Sequence, residues 1–305
     1  MKKKKNKVKK YLPLYLMMLP GLLYLLINNY LPMTGIVIAF KKLDFSKGIL
    51  KSPWAGLDNF KFLFSSKDAW IITRNTLFYN IAFIIVNMVV GIAIAILINE
   101  VNNKKLKKLY QSAILLPFLM SMVILSYIVY ALLSAENGLI NNTILPLLHK
   151  KPIQWYQKPK YWPVILTIAN CWKGVGYGCL IYIASLIGID PTYYEAARLD
   201  GATKWQEITK ITLPSLVPTI ITLLLLSIGR IFYSDFGLFY QVPMNSGVLF
   251  PTTNVIDTYV YRALIEQGNI SMSSAAGVYQ SLVGFVIVML SNWIVRRVDK
   301  DRALF

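Results

Sequence analysis

The chain has 305 residues, of which 56% are hydrophobic, and it carries a formal net charge of +18. Soluble domains are only about 45–50% apolar, and the apolar residues here come in blocks of about twenty, the length of a helix that crosses a bilayer core. These values exclude a soluble globular protein. The lysine clusters flank apolar runs, as topology signals and contacts with membrane lipid do, so the charge does not indicate a nucleic-acid partner.

The apolar blocks predict an all-α integral membrane protein with six transmembrane helices. The spans lie at about residues 12–40, 74–98, 110–133, 161–188, 215–232 and 278–295. Residues 1–10 form a basic N-terminus, and the apolar run after them is too long for a signal peptide and lacks a small-residue cleavage site. We therefore expect residues 11–305 to form a single transmembrane domain in the cell membrane. Basic flanks favour a cytoplasmic location for both termini.

No pattern for catalysis or for a cofactor occurs in the sequence. It lacks the phosphate-binding loop of ATPases, paired carboxylates and metal-ligand spacings. Gly174, Gly176 and Gly178 follow no strand, so they favour close helix packing or a local break in the fourth span over dinucleotide binding. Cys171 and Cys179 would lie about 12 Å apart on one helix, too far for a disulfide. We expect no enzyme activity, metal or cofactor in this chain.

Polar side chains form a stripe in the second span. Thr73, Thr76, Asn80 and Asn87 share one helical face. Side-chain amides inside a membrane need partners. Two interpretations remain open: ordinary hydrogen bonds between helices, and contacts with a transported solute.

Lys173 lies near the middle of the fourth span, about 18 Å from either surface. A lysine at this depth is expected to face a cavity, a carboxylate or backbone carbonyls. Asn170, Trp172 and Tyr177 surround it in the sequence, and amides, aromatic rings and an ammonium suit polyhydroxyl compounds. A structural ion pair with another subunit is the alternative.

A second polar group follows the fifth span. It contains Arg230, Tyr233, Ser234, Asp235 and Phe236. These residues either line the same path from the other side or lie at the membrane interface.

The stretch 190–214, DPTYYEAARLDGATKWQEITKITLP, is the longest polar segment between two apolar runs. Asp190 is suited to cap a helix that begins at Pro191. Gly201 accepts the left-handed conformation that ends a helix, and Thr203 with Gln206 predicts a capping box for the next one. The segment is therefore expected to form two short helices joined by a tight turn, as either an amphipathic loop on lipid or a docking element.

The spacing within this segment resembles the EAA motif of permease subunits of ABC importers. The matching residues are Glu195, Ala196, Ala197, Gly201, Ile211, Leu213 and Pro214. Further stretches resemble the carbohydrate permeases of this superfamily, namely GLDNF at 56–60, RNT at 74–76, LLP at 115–117, WKG at 172–174, VIDTYVYR at 255–262 and SSAAGVYQS at 273–281.

The resemblance implies a type I importer permease in which residues 190–214 form a cytoplasmic coupling segment that docks on an ATPase. Arg198 and Asp200 would belong to this coupling site, with Lys204 in its polar rim. The implied partners are a second homologous permease subunit, a cytosolic ATPase dimer that binds ATP and Mg, an extracellular solute-binding protein and membrane lipid. The implied substrate is a carbohydrate, an oligosaccharide or polysaccharide fragment moved by alternating access.

The tentative substrate path comprises polar and aromatic residues of the second, fourth and fifth spans: Asn80, Asn87, Asn170, Trp172, Lys173, Tyr177, Tyr233 and Asp235. Two alternatives stay open. The same fold can import another solute, such as an amino acid, a peptide or phosphate, or the chain can be a channel or scaffold that needs no ATPase.

Overall fold

The computed structural model describes residues 7–298. Most of the predicted basic N-terminus and of the tail, residues 1–6 and 299–305, lies outside the described residues. Within them the chain forms helices, with one isolated β-bridge between Lys41 and Trp54. Five helices are long and apolar enough to cross a membrane, or six if a bent pair of helices counts as one span. The predicted all-α membrane fold is confirmed.

The α-helices of the described residues are numbered in chain order. They are α1 Lys7–Leu25, α2 Leu31–Met33, α3 Gly48–Lys51, α4 Asp58–Ser65, α5 Lys67–Asn99, α6 Lys104–Leu119, α7 Met122–Leu133, α8 Leu145–Leu147, α9 Trp162–Ile187, α10 Pro191–Leu199, α11 Lys204–Glu207, α12 Leu213–Ile228, α13 Phe236–Gln241, α14 Phe250–Thr253, α15 Ile256–Tyr261 and α16 Ile270–Val298. Wider π turns lie at Leu26–Tyr30, Ile140–Ile144, Ile208–Thr212 and Arg262–Glu266, and 3-10 turns at Thr34–Phe40, Trp155–Gln157, Pro159–Tyr161 and Gly247–Leu249.

The chain divides into two compact units. The first contains residues 7–66 and 260–279. In it α1 continues through a π turn and α2 to Phe40, so the first apolar run is helical over its whole predicted length. The ammonium of Lys41 donates to the carbonyls of Ile49 and Leu50 at 2.9 and 2.7 Å, which folds the chain after this span back on itself.

The second unit contains residues 67–259 and 280–298 and holds the larger core. Helices α5 and α9 pack along each other, and α6 packs on α9. Buried aromatic rings fill one end, with the Tyr79 and Phe239 rings edge to face at 4.7 Å between centroids. A Cβ atom on Gly176 would collide with the Ile114 carbonyl oxygen, so this glycine allows α6 to approach α9 closely. Its predicted packing role is confirmed.

The third predicted span differs from a single helix. Helix α6 ends at Leu119, α7 begins at Met122, and the two helices meet at an angle of 96°. Met120 is extended between them, and the Ser121 hydroxyl caps α7 by accepting the Ile124 N–H at 3.2 Å. The apolar run therefore contains a break that leaves the last carbonyls of α6 without helical partners.

Candidate coupling segment and membrane cavity

The residue 190–214 segment begins as the sequence predicts. The Asp190 carboxylate accepts the Thr192 N–H at 2.9 Å, and Pro191 is the first residue of α10. This hydrogen bond lowers the pKa of the Asp190 carboxyl. Only Gly188, Ile189 and Asp190 separate α9 from α10. No long flexible linker therefore separates α10 from α9.

Gly201 forms the turn after α10. Its φ is +77°, in the left-handed region that favours glycine. The Ala202 N–H donates to the Ala197 carbonyl at 2.9 Å, the bond that closes a Schellman motif. Thr203 and Gln206 then form the predicted capping box, with the Thr203 N–H 2.7 Å from the Gln206 Oε1. Both predicted short helices and the turn between them are present.

The second short helix does not end at Leu213 and Pro214. Helix α11, the π turn Ile208–Thr212 and α12 form one continuous helical run over Lys204–Ile228. Ile211, Leu213 and Pro214 therefore lie inside the helix that enters the membrane. The segment is thus rigidly joined to a candidate span at both of its ends.

A buried carboxylate holds the two short helices together. Glu207 is only 3% exposed and accepts the Arg198 Nε at 2.8 Å. Lys204 lies 3.0 Å from the same carboxylate and 2.9 Å from Glu100, just after α5. The hydrogen bond to Glu207 raises the pKa of the Arg198 guanidinium. Arg198 and Lys204, expected to contact a partner, thus already have partners within the chain.

Large apolar side chains are exposed on the outer surface of this segment. Tyr193, Leu199 and Trp205 are 63%, 90% and 71% exposed. Glu195 and Ala196, of the EAA triplet, are exposed as well, whereas Ala197 is half-buried. Asp200 is exposed beside the turn. Large side chains exposed on both short helices are a mark of an interaction surface.

A cavity of about 450 Å³ lies between the polar faces of the second unit's long helices. It brings together five residues of the predicted substrate path: Asn80, Asn87, Asn170, Tyr177 and Tyr233. Arg230 and Ser227 line it too, alongside Tyr182 and apolar residues of α5, α9 and α12. Amides, tyrosines and a guanidinium offer donors, acceptors and ring faces to one bound molecule.

The amides of the stripe also bond between helices. The Asn87 Nδ2 donates to the Asn170 Oδ1 at 2.8 Å, joining α5 to α9. Asn80 donates to the Thr76 carbonyl at 2.8 Å, and Thr76 accepts the Ile256 N–H at 3.1 Å. The Asn87 Oδ1 is buried beside the cavity without a hydrogen-bond partner among the described residues. The stripe thus makes hydrogen bonds between helices, as the first interpretation predicts, and Asn80 and Asn87 also line the cavity.

Lys173 lies outside the cavity lining. Its ammonium donates to the Phe118 carbonyl at 3.1 Å and to the Met120 carbonyl, both at the break between α6 and α7. Backbone carbonyls were one of the three surroundings expected for this lysine. A cation at a helix C-terminus is favourable to the helix dipole, so Lys173 stabilises the break that faces α9.

Two other residues of the predicted path do not line the cavity. Trp172 is 43% exposed on α9. The Asp235 carboxylate caps α13 by accepting the Leu238 N–H at 3.1 Å. Tyr177 both lines the cavity and stacks on Phe118, with centroids 5.1 Å apart. The cavity therefore contains five of the eight residues predicted for the substrate path.

Several residues of both sites were missed from the sequence. Glu207 and Glu100 belong to the ion cluster, and Tyr182 and Ser227 to the cavity. The spacing of Lys204 and Glu207, three residues apart, was a visible signal for their pair. Nothing local pointed to Arg198 as a partner nine residues away across a turn.

Comparison with known proteins identifies the family of this chain. Residues 60–300 match the family model described as "Binding-protein-dependent transport system inner membrane component". The chain is 34% identical to Protein LplB of Bacillus subtilis over 94% of this chain and 90% of that protein. It is 36% identical to the polygalacturonan/rhamnogalacturonan transport system permease protein YteP of the same organism, over 94% and 89%.

A solved structure shares the fold. It is a chain of a bacterial ABC transporter involved in the import of the acidic polysaccharide alginate, with a TM-score of 0.87 and 33% sequence identity, covering 96% of this chain and 98% of that one. A second structure of a bacterial alginate ABC transporter, in complex with an alginate pentasaccharide-bound periplasmic protein, also gives a TM-score of 0.87, at 32% identity. The chain therefore belongs to the family of inner membrane components of binding-protein-dependent transport systems, the permeases of ABC importers.

Proposed function

We propose that this chain is one of two permease subunits of an ATP-driven importer and forms the membrane path for a carbohydrate, an oligosaccharide or polysaccharide fragment. The observation that carries this is the cavity, where three asparagines, three tyrosines and Arg230 face one space. Sugar hydroxyls need such donors and acceptors, and sugar rings stack on aromatic faces. The related YteP and alginate systems, whose names specify polysaccharides, support the same substrate class.

The proposed partners are those of an ABC importer, the family to which this chain belongs. The apolar face of the 190–214 segment would dock on one member of a cytosolic ATPase dimer, which binds ATP and Mg and hydrolyses the nucleotide. A second homologous permease would complete the path, and an extracellular binding protein would deliver the sugar. The chain itself would be multi-pass in the cell membrane with both termini cytoplasmic, and its roles are to bind, orient and release the sugar.

Alternating access would use the two rigid connections of the segment. Closure of the ATPases moves the docked α10 and α11, and this movement passes directly to α9 and α12. Both of these helices line the cavity, so the space around the sugar changes shape with the nucleotide state. Hydrolysis would then restore the inward-facing state.

The test is reconstitution of the complete transporter, purified through a tag on this chain, into liposomes with its binding protein. We expect ATP-dependent accumulation of a labelled oligosaccharide drawn from a panel of neutral and acidic sugars. Accumulation of an amino acid, peptide or phosphate instead of any sugar would contradict the substrate class. Solute flux that needs no ATPase would contradict the importer itself.

A further inference from the structure

Arg230 is the charged residue of the cavity lining. It lies two residues after the end of α12, and no aspartate or glutamate is among the described residues that line the same space. Its guanidinium is exposed, and its side chain makes no hydrogen bond or ion pair with any described residue. The cavity is therefore positively charged when empty.

Four other cations of the second unit have partners within the chain. Lys173 donates to two backbone carbonyls, and Arg198 and Lys204 share the Glu207 carboxylate. Arg74 donates to the Asn75 side chain and to the Pro251 carbonyl at 2.8 Å. The free guanidinium of Arg230 thus differs from these groups, which stabilise the fold through their bonds.

An unpaired guanidinium beside a membrane cavity favours an anionic ligand. It binds a planar carboxylate through two parallel N–H···O bonds, and such charge-assisted bonds are stronger than bonds between neutral groups. A neutral sugar can accept hydrogen bonds from the guanidinium through its hydroxyls, but it brings no opposite charge to offset the desolvation of the cation. A sugar acid, in contrast, brings its carboxylate and its hydroxyls to the same cavity.

The neighbours of Arg230 distinguish a sugar acid from a lipid phosphate. Tyr233, Asn80 and Asn170 line the same space, and amides and phenols provide hydrogen bonds for a ligand with many hydroxyls. A lipid headgroup would need one phosphate contact and an apolar groove for its chains. The mixture of a cation with several neutral polar groups therefore fits a uronic acid residue better.

We infer that Arg230 makes this cavity selective for acidic oligosaccharides by pairing with a uronate carboxylate. The inference rests on the proposed carbohydrate function. It adds that the substrate is negatively charged and that Arg230 recognises this charge. In this proposal the Arg230 guanidinium contacts the ligand directly, and Asn170 and Tyr233 are the neutral hydrogen-bonding groups of the same site.

The test uses the assembled transporter in phosphatidylcholine nanodiscs, with Cys171 and Cys179 replaced by alanine and a Ser227→Cys substitution in the cavity. The rate at which the neutral reagent N-ethylmaleimide alkylates the introduced thiol reports whether the cavity is occupied. The two probes are trigalacturonate and galactotriose, its carboxyl-reduced counterpart. We expect trigalacturonate to protect this thiol at about tenfold lower concentration than galactotriose, the factor expected of one charge-assisted hydrogen bond.

Arg230→Gln is expected to abolish this difference, Arg230→Lys to retain part of it, and Lys150→Gln, a loop cation outside the cavity lining, to leave it intact. Equal protection by both sugars with Arg230 present would overturn the charge selectivity and leave the carbohydrate function standing. Protection by neither sugar would overturn the proposed path as well. Loss of the difference on adding phosphatidylglycerol would assign Arg230 to lipid phosphate and overturn the inference.

Discussion

The 190–214 segment and the membrane cavity differ in whether their charged side chains have partners within the chain. In the segment, Arg198 and Lys204 are bound to the buried Glu207, and large apolar side chains are exposed on both short helices. In the cavity, the amides bond to one another across helices while Arg230 has no partner among the described residues. The segment thus has a fixed shape ready for a protein surface, whereas the cavity keeps polar groups available for a small ligand.

Among the substitutions that test this difference, Gly201→Val is expected to have the largest effect on uptake. A β-branched residue at a φ of +77° is strained by about 1–3 kcal/mol, so the turn must change and α11 leaves its direction relative to α10. We expect nearly complete loss of ATP-driven oligosaccharide uptake, with a normal amount of chain in the membrane and an intact sugar cavity.

Two glycine substitutions serve as controls for this change. Gly201→Asn is expected to keep substantial uptake, because asparagine tolerates the left-handed region. Gly21→Ala lies in a helix with open space around it and is expected to change nothing. Uptake by Gly201→Val at the wild-type rate would exclude the turn from the coupling mechanism.

The contrast between the two regions also explains what the sequence could predict. The caps, Gly201 and the two short helices of the segment depend on residues within three or four positions of each other, and all were predicted. The cavity depends on five predicted residues, four of them on α5 and α9 and the fifth, Tyr233, in the segment after α12. Their residue types were predicted, but their arrangement was not, since it depends on how α5, α9 and α12 pack.

The break in the third span shows the same limit. Ser121 is a good helix cap and precedes an apolar run, so a local signal for a second helix was available. The 96° angle, however, is stabilised by Lys173 from α9, 53 residues away from Met120 in the chain. A pairing at this distance in sequence has no local signature.

Lys173→Met is expected to have the next largest effect. It removes both hydrogen bonds from the carbonyls of Phe118 and Met120, and bonds to a charged donor are worth about 1.5–3 kcal/mol each. The bend then loosens behind Tyr177, which lines the cavity and stacks on Phe118. We expect a lower melting temperature of the purified transporter and an uptake rate reduced by about tenfold, the factor that 1.4 kcal/mol corresponds to.

Lys173→Arg supplies the comparison for this change, because arginine retains a positive charge and several N–H donors. It should recover most of the melting temperature and of the uptake. If Lys173→Met and wild type were indistinguishable in both measurements, the carbonyls at the break would need no cation, and the bend would depend on Ser121 and packing alone.

Glu207→Gln is expected to have the smallest effect of the three. Arg198 is about half exposed, so water replaces much of the lost ion pair, and the cost is about 1 kcal/mol, a factor of about five. The loss should appear as more ATP hydrolysed per sugar molecule transported, since the two short helices would no longer move as one body. Glu136→Gln, an exposed acid in a loop between spans, is the matched control.

A double-mutant cycle decides whether the Arg198–Glu207 contact itself is responsible. If the contact keeps the short helices aligned, Arg198→Gln and Glu207→Gln raise the ATP consumed per sugar to a similar degree, and the double variant is little worse than either. Additive effects would instead mean that each residue acts through a different neighbour. For Glu207 that neighbour would be Lys204, which also contacts Glu100 at the end of α5. The cycle therefore distinguishes two contacts. One is the Arg198–Glu207 pair, which aligns α10 with α11, and the other is the Lys204–Glu100 pair, which attaches the segment to α5, the helix of Asn80 and Asn87.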